Sequence, residues 1–236
     1  MTSARSARIL GGLRATSTGG LAPEVCAASI RATGVDGAGL SLAGNRGPVV
    51  VVAATAGLGR TLEDLQVHLG EGPCADAWLS GEPVSHPELA RSAHRWPALG
   101  PAALEAGARA AFAFPVTVGS VRLGTLSLYR SHPEDLGPRE VDEAIAHAGA
   151  AGSALLQLRP ADDGAGADGE ADAVRRAVRA DRYVHQATGM VSEQLHCSLD
   201  DALARLRAHA YAGGRTVAEL ARDVVARRVR FSPEDP

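Results

Sequence analysis

The side chains with the clearest chemical potential lie near the C terminus, where arginines alternate with small and polar residues. A guanidinium at Arg207 or Arg215 could bridge phosphates or stack on a base, and Tyr211 could also stack on a base. Small residues would let a base approach closely, although simple packing between helices explains them as well. As candidate nucleic-acid contacts we take Thr188, Gly189, Arg207, Tyr211, Arg215, Thr216 and Ala221.

Three helices are predicted to position these residues, and the first is long and lined with alanine. Its small apolar residues recur at spacings of four and three, which is typical of a seam that packs along a partner helix. The seam consists of Ala173, Ala177, Ala180, Val184, Ala187 and Val191. A run of arginines (Arg175, Arg176, Arg179 and Arg182) would lie on the outer face, either solvated or in contact with phosphate.

Capping residues predict the two helices that follow. Ser198 and Asp201 would open the second helix, and Gly213 and Gly214 would end it. Its apolar face would be formed by Leu199, Leu203, Leu206 and Ala210. Thr216 and Glu219 form a capping box for a third helix, faced by Val217, Leu220, Ala221, Val224 and Val225.

Charge separates this C-terminal module from the rest of the chain. Residues 171–231 contain 11 arginines against 7 acidic residues, a net charge of +4 in a chain whose overall charge is −3. A basic module on an acidic chain indicates an anionic partner, and nucleic acid is the commonest one.

Three consecutive segments resemble an ANTAR domain, a family of bacterial RNA-binding antitermination modules. They are residues 185–193 (HQATGMVSE), 197–207 (CSLDDALARLR) and 215–225 (RTVAELARDVV). The chain departs from the family pattern at Thr188, where a lysine is usual, and at Asp181, where an arginine is usual. The resemblance implies an all-α module that binds hairpin loops in leader RNA, and the apolar seam favours a homodimer.

Two other outputs fit the same residues. The second and third helices, joined through Gly213 and Gly214, also have the pattern of a helix-turn-helix that binds DNA, although Ala218 and Glu219 are poor base readers. A protein-interaction adaptor would use the alanine seam to recruit a partner helix and would leave the arginines without a role.

Composition and motif spacing exclude most enzymes. All 24 basic residues are arginine, so the chain has no lysine for a P-loop or a Schiff base. His86 and Glu88 match half of a zinc deaminase motif, but the Cys-x-x-Cys half is missing. We therefore expect no catalytic site, no metal and no cofactor, apart from an unknown small-molecule ligand.

Cysteine usage and hydropathy indicate a cytoplasmic protein that does not enter a membrane. The three cysteines are far apart, and no stretch approaches the roughly 18 apolar residues of a membrane span. Cys74 has no basic neighbour that would lower its pKa, so we interpret it as a buried structural thiol rather than a redox residue.

The first two thirds of the chain mix strands and helices in an order typical of an α+β domain. Helices are predicted from Leu21 to Gly34, over 61–69 with Thr61 and Asp64 as a capping pair, just after Cys74, over 97–106, and from Pro138 to 158. Strands are predicted over 38–42, 49–54, 83–85, 110–118 and 121–129, the last two joined by a turn at Gly119 and Ser120. These elements would form an antiparallel sheet flanked by helices.

This region resembles a GAF domain, a sensory module that is fused to ANTAR modules in actinobacteria. The resemblance rests on residues 69–78 (LGEGPCADAW), 95–99 (RWPAL), 111–119 (AFAFPVTVG) and 123–129 (LGTLSLY). Residues that could line its ligand pocket are Glu71, Cys74, His86, Arg95 and Trp96.

Composition marks the domain boundaries. We predict a flexible N terminus over 1–18, a GAF-like domain over 19–159, an acidic Gly/Asp linker over 160–170, an ANTAR-like domain over 171–231 and a tail over 232–236. Residues 161–172, which span most of this linker, carry five acidic residues among alanine and glycine, so the segment is self-repelling.

Overall fold

A five-stranded antiparallel sheet organises the N-terminal domain. The computed structural model describes residues 2–16, 20–44, 47–156 and 170–232. Its sheet has the order β2-β1-β5-β4-β3, and every neighbouring pair is antiparallel. The strands are β1 (Gly37–Gly44), β2 (Gly47–Ala54), β3 (Val84–His86), β4 (Ala110–Val118) and β5 (Val121–Arg130). The predicted strands and their hairpin turn are therefore confirmed.

Helices flank both faces of this sheet and continue alone toward the C terminus. In the N-terminal domain they are α1 (Thr2–Thr16), α2 (Leu21–Thr33), α3 (Leu58–Leu69), α4 (Pro73–Ser80), α5 (Leu89–Ser92), α6 (Leu99–Glu105) and α7 (Pro138–Leu156). The C-terminal helices are α8 (Glu170–Leu195), α9 (Leu199–Ala212) and α10 (Val217–Val225). No helix among the described residues combines the length and apolarity needed to cross a bilayer.

The two faces of the sheet differ in chemistry because side chains alternate along each strand. One face is apolar and packs against α2 and α7 through residues such as Leu40, Phe112 and Leu128. The opposite face, under α3 and α4, carries small and polar residues. These are Gly37, Gly39, Ser41, Ala111, Ala113, Thr125, Ser127 and Tyr129.

The N-terminal segment, expected to be flexible or loosely helical, contains α1, in which Ile9, Leu10 and Leu13 form an apolar side that packs against α7 and α2. One prediction about the N-terminal domain is corrected. Helix α3 begins at Leu58, three residues earlier than predicted, after Gly57 with a positive φ of 72°. Thr61 therefore lies inside the helix, and the proposed capping pair with Asp64 is wrong; Asp64 accepts a hydrogen bond from Arg60 instead.

The C-terminal helices begin and end where the capping residues predict. The Ser198 hydroxyl accepts the backbone N–H of Asp201 at 3.1 Å, and Thr216 forms a full capping box with Glu219. Leu203, Leu206 and Ala210 are buried as expected, but Leu199 is 45% exposed and does not join the apolar face. Leu199 is the first residue of α9 and precedes the turns of this helix that pack against α8 and α10.

The apolar seam of α8 packs within the same chain. Ala187 and Val191 are fully buried in a core shared with α9 and α10, and Ala180 is 2% exposed. Helix α8 also contacts the edge strand β2 and its neighbour β1. The side chains of Ala173, Ala177 and Arg176, and the acidic linker over 160–169, lie outside the described residues.

Candidate nucleic-acid interface and buried polar cluster

Arg215 lies in the turn between α9 and α10, where it pairs with a carboxylate. Gly214 takes the left-handed conformation, with φ of 62°, and directs the chain back along α9. The Arg215 guanidinium contacts Asp223, which also accepts a hydrogen bond from Arg228 Nε at 2.8 Å. Hydrogen bonds from these two arginines lower the pKa of Asp223. Arg215 therefore stabilises the turn, and part of its charge is already compensated.

Three more of the predicted contacts are committed to the internal structure of the module. Thr188 is 1% exposed, and its hydroxyl donates to the Val184 carbonyl at 2.7 Å; Ala221 is fully buried. The Thr216 hydroxyl accepts the backbone N–H of Glu219, and hydrogen bonds from Thr216 lower the pKa of the Glu219 carboxyl. By contrast, Gly189 is exposed on α8, and Tyr211 is 49% exposed on α9.

Arg207, Tyr211 and Thr216 share one side of the module, which faces the N-terminal domain. The Arg207 guanidinium lies against Gly70, the left-handed residue that ends α3. Carbonyl groups at a helix C terminus carry partial negative charge, so a guanidinium is favourable there. Tyr211 lies across a groove of about 370 Å³ from Leu65 and His68 of α3. Thr216 helps to line a cavity of about 40 Å³ together with Pro48 and Val49 of β2.

The inner side of α3 holds a buried polar cluster. The hydroxyl of Tyr129 donates to Glu63 Oε1 at 2.6 Å and accepts from Gln66 Nε2 at 2.6 Å. Gln66 Oε1 in turn accepts the backbone N–H of Cys74 at 2.9 Å. This network joins α3, β5 and the start of α4 in the interior.

Glu63 fits into the sheet because its neighbours are small. It lies over Gly39, where any Cβ would collide with its side chain, and Gly39 pairs with Ser127 across the strands. Among the described residues, Glu63 Oε2 and Ser127 Oγ are buried without a hydrogen-bond partner. Burial raises the pKa of Glu63, and the hydrogen bond from Tyr129 offsets part of this effect. The cluster therefore favours an uncharged Glu63 carboxyl.

Family models match both parts of the chain. A GAF domain model matches residues 15–156, and an ANTAR domain model matches residues 172–225. The chain belongs to the GAF family and carries a C-terminal ANTAR domain. ANTAR domains are RNA-binding antitermination domains, which favours RNA over duplex DNA as the ligand of this module.

Solved structures resemble the GAF domain in fold. The GAF domain from a phosphoenolpyruvate-protein phosphotransferase of Coxiella burnetii is 17% identical, with a TM-score of 0.50, over 67% of this chain and 97% of that one. The corresponding domain from Acinetobacter is 15% identical, with a TM-score of 0.49, over 67% of this chain and 96% of that one. No curated protein sequence matches the chain.

The five residues predicted to line a GAF ligand pocket have distinct positions. Trp96 is buried in the core under α3, and its ring meets His86 edge-on at 4.7 Å. Burial and the nearby Arg95 lower the pKa of His86. Arg95 is exposed and pairs with Asp76 at 3.3 Å.

Glu71 and Cys74 have structural contacts in the GAF domain. Glu71 Oε1 accepts the backbone N–H groups of Ala98 and Leu99 at 2.7 Å each, and so caps the start of α6. Cys74 is fully buried, and burial raises the pKa of its thiol well above the usual value. Their use as ligand contacts remains a prediction.

Sequence reasoning missed the cluster around Glu63. The signal was present: Thr125, Ser127 and Tyr129 occupy alternate positions of β5, which places three hydroxyls on one face. On α3, Glu63 and Gln66 are three positions apart and therefore lie on the same face of the helix. Among the described residues, no group of three or more His, Cys, Asp or Glu side chains could hold a metal ion.

Proposed function

We propose that this chain is a signal-responsive RNA-binding regulator of transcription antitermination. Its GAF domain would sense a small molecule, and its ANTAR domain would bind hairpin loops in leader RNA and so favour continued transcription. We expect a cytoplasmic, non-catalytic protein whose RNA contacts include Gly189, Arg207, Tyr211 and Arg215.

One observation carries this proposal: the GAF domain packs against the side of the ANTAR domain that holds Arg207, Tyr211 and Thr216. Arg207 lies on the C-terminal end of α3, and Tyr211 lies across a groove from the same helix. RNA that used this side would have to displace α3. A signal that moved α3 would therefore control access to it.

Helix α3 is suited to transmit such a signal because its two sides serve different partners. Its inner side contributes Glu63 and Gln66 to the polar cluster, and its C-terminal end meets Arg207. A ligand that competed for the Tyr129 hydroxyl would release both α3 side chains from β5. The resulting shift would reach the ANTAR domain through a single rigid helix.

Homodimers would provide the affinity that one three-helix module lacks. Two linked modules engaging two hairpins in one transcript gain from the effective concentration of the second site. Sedimentation equilibrium with and without RNA tests this part of the proposal, and a chain that remains monomeric on a two-hairpin RNA would contradict it.

The direct test compares RNA with DNA. Full-length protein is titrated, at matched salt, into a labelled pool of RNAs that carry two tandem stem-loops with randomised loops, and separately into labelled duplex DNA. We expect binding to the RNA pool and enrichment of particular loops on selection. Equal or tighter binding to duplex DNA would favour the helix-turn-helix alternative and overturn the proposal.

A further inference from the structure

We propose that a second surface of the ANTAR domain, on the side away from the GAF domain, binds the phosphates and an unstacked base of the RNA. This surface, called here the basic track, consists of the outer face of α8 and a groove between α8 and the segment that follows α10. The proposal rests on the proposed function, because it concerns how the ANTAR domain holds its RNA.

The outer face of α8 is a continuous exposed stripe. Its members recur at spacings of four and three, which keeps them on one face of the helix. They are Arg175, Arg179, Arg182, Gln186, Gly189 and Glu193, and all are exposed. At a rise of 1.5 Å per residue the stripe is roughly 27 Å long. The residues of α8 that face the GAF domain, including Asp181 and Val184, lie on the opposite side.

A groove of about 680 Å³ opens at the C-terminal half of this stripe. Helix α8 contributes Gln186, Gly189, Glu193 and Gln194 to its lining, and the segment after α10 contributes Arg227 and Arg230. The apolar part of the lining consists of Met190, Val224 and Val229. A Cβ built on Gly189 would have nothing within 4 Å. A glycine in the middle of a helix weakens it, and here the missing side chain leaves the groove open.

The segment that carries the two arginines is held in place by specific contacts. The backbone N–H of Phe231 donates to Gln194 Oε1 at 2.8 Å, and its ring lies 5.1 Å from that of His209. Arg227 has a left-handed backbone with φ of 59°, which turns the chain away from α10 and across α8. Residues 226–232, which form this wall of the groove, lie beyond the match to the ANTAR model, which ends at residue 225.

The two arginines of the wall are exposed and available. The Arg228 guanidinium is bound to Asp223, whereas the guanidinium groups of Arg227 and Arg230 have no ion-pair or hydrogen-bond partner among the described residues. Guanidinium groups recognise phosphate oxygens through paired N–H donors. Side-chain amides beside an apolar lining suit the edge and the face of an unstacked base. Five arginines against one acid, Glu193, make the whole track attractive to a polyanion.

The test uses full-length Arg227→Gln/Arg230→Gln protein and the RNA pool with tandem stem-loops, measured by fluorescence anisotropy over a series of salt concentrations. We expect affinity to fall by roughly tenfold, because two charge-assisted contacts are lost. The slope of log affinity against log salt should decrease in magnitude by about 1.4, at about 0.7 per phosphate contact. The matched control, Arg31→Gln/Arg91→Gln, removes the same charge from exposed GAF positions and should bind like the wild type.

A second variant tests the groove without changing charge. Gly189→Leu places a side chain in open space, so α8 should keep its helicity by circular dichroism while the groove is filled. We expect it to weaken RNA binding, and Gly189→Ala to weaken it much less.

Each outcome has a distinct meaning. If the wild type binds RNA and Arg227→Gln/Arg230→Gln binds equally well, the basic track is wrong and the proposed function stands. Equal weakening by both double variants would show a net-charge effect only and would also overturn the track. A changed oligomeric state of Arg227→Gln/Arg230→Gln with unchanged RNA affinity would make the groove a self-association site. A wild type that ignores every stem-loop would overturn both proposals.

Discussion

Neighbouring groups give the arginines of this chain different roles although their side chains are identical. Arg215 is bound to Asp223 and stabilises a turn, Arg207 lies on the end of a GAF helix, and Arg227 faces an open groove. The Arg227 side chain is exposed and has no ion-pair partner among the described residues. Counting arginines identified the basic module, but only their contacts separate those that hold the fold from those available to RNA.

The capping box at Thr216 gives a first prediction at the scale of the residue. Thr216→Ala removes the hydroxyl that accepts the Glu219 N–H, so the free energy of unfolding of the ANTAR domain should fall by about 1 kcal/mol. Thr216→Ser keeps the cap and should lose little. The pKa of Glu219 is lowered in the folded state, so its contribution is present above the usual pKa of a glutamate and is lost as pH falls through the lowered value. Urea titrations of the three proteins, repeated across the acidic range, measure both effects. If Thr216→Ala had the same free energy of unfolding as the wild type, the cap would be dispensable.

The buried carboxyl gives a prediction with the opposite dependence on pH. The pKa of Glu63 is raised in the folded state, so the stability it supports is present below the usual pKa of a glutamate and is lost as pH rises through the raised value. Glu63→Gln cannot ionise and should therefore be the more stable protein at about pH 8, by on the order of 1 kcal/mol, with a smaller difference at about pH 5. Urea unfolding followed at Trp96 makes the comparison.

The exposed Glu105→Gln serves as the control for that experiment. It should unfold like the wild type at both pH values, because its carboxyl is solvated in the folded and unfolded states. If the difference in free energy of unfolding between Glu63→Gln and the wild type did not increase with pH, the cluster would hold a charged carboxylate.

At the scale of the element, local signals in the sequence predicted where most helices and strands begin and end. Gly34 ends α2, Gly213 and Gly214 end α9, and the turn at Gly119 and Ser120 separates β4 from β5. The start of α3 was predicted three residues too late, because Gly57, which precedes the helix, carries no capping side chain. A stable helix α1 was not predicted, because its apolar residues are few and become buried only against α7.

Candidate sites were harder to predict than elements because they depend on partners distant in sequence. Glu63 reads as one more polar residue of an amphipathic helix until Gly39 and Tyr129 are brought beneath it. The seam of α8 likewise predicts an apolar partner, yet its spacing does not say whether that partner lies in the same chain. Here Ala187 and Val191 meet α9 and α10.

Two glycines in the middle of helices give a prediction for elements. A Cβ at Gly189 of α8 meets open space, whereas one at Gly152 of α7 would lie 2.9 Å from the Thr117 carbonyl oxygen. Gly189→Ala should raise the free energy of unfolding of the ANTAR domain by about 0.5–1 kcal/mol, because alanine loses less backbone entropy. Gly152→Ala should instead destabilise the GAF domain, since α7 must move away from β4. Thermal unfolding of both variants shows whether each one is stabilised or destabilised. If both were stabilised, α7 would be able to move away from β4 without loss of stability.

At the scale of the whole molecule, the arrangement of the two domains supports the proposed link between sensing and RNA access. The edge strand β2 and helix α3 lie against α8 and α9, and the predicted RNA contacts are divided between two sides of the ANTAR domain. The basic track faces solvent, while Arg207, Tyr211 and Thr216 face the GAF domain. RNA could therefore be held weakly by the track in either state and tightly once α3 moves away.

A pair of glycines at helix ends tests this arrangement without substitution of any proposed RNA contact. Gly70 and Gly34 both end a helix with φ of 65°, but a Cβ at Gly70 would collide with the Arg207 guanidinium, whereas one at Gly34 has nothing within 4 Å. Asparagine tolerates the left-handed conformation, so both variants should fold. Gly70→Asn should displace the Arg207 guanidinium from the end of α3 and so tighten binding to the stem-loop RNA pool severalfold, and Gly34→Asn should bind like the wild type. If Gly70→Asn folds and its affinity is unchanged or lower, α3 does not restrict access to the RNA, and the signal must act through another route such as dimerisation.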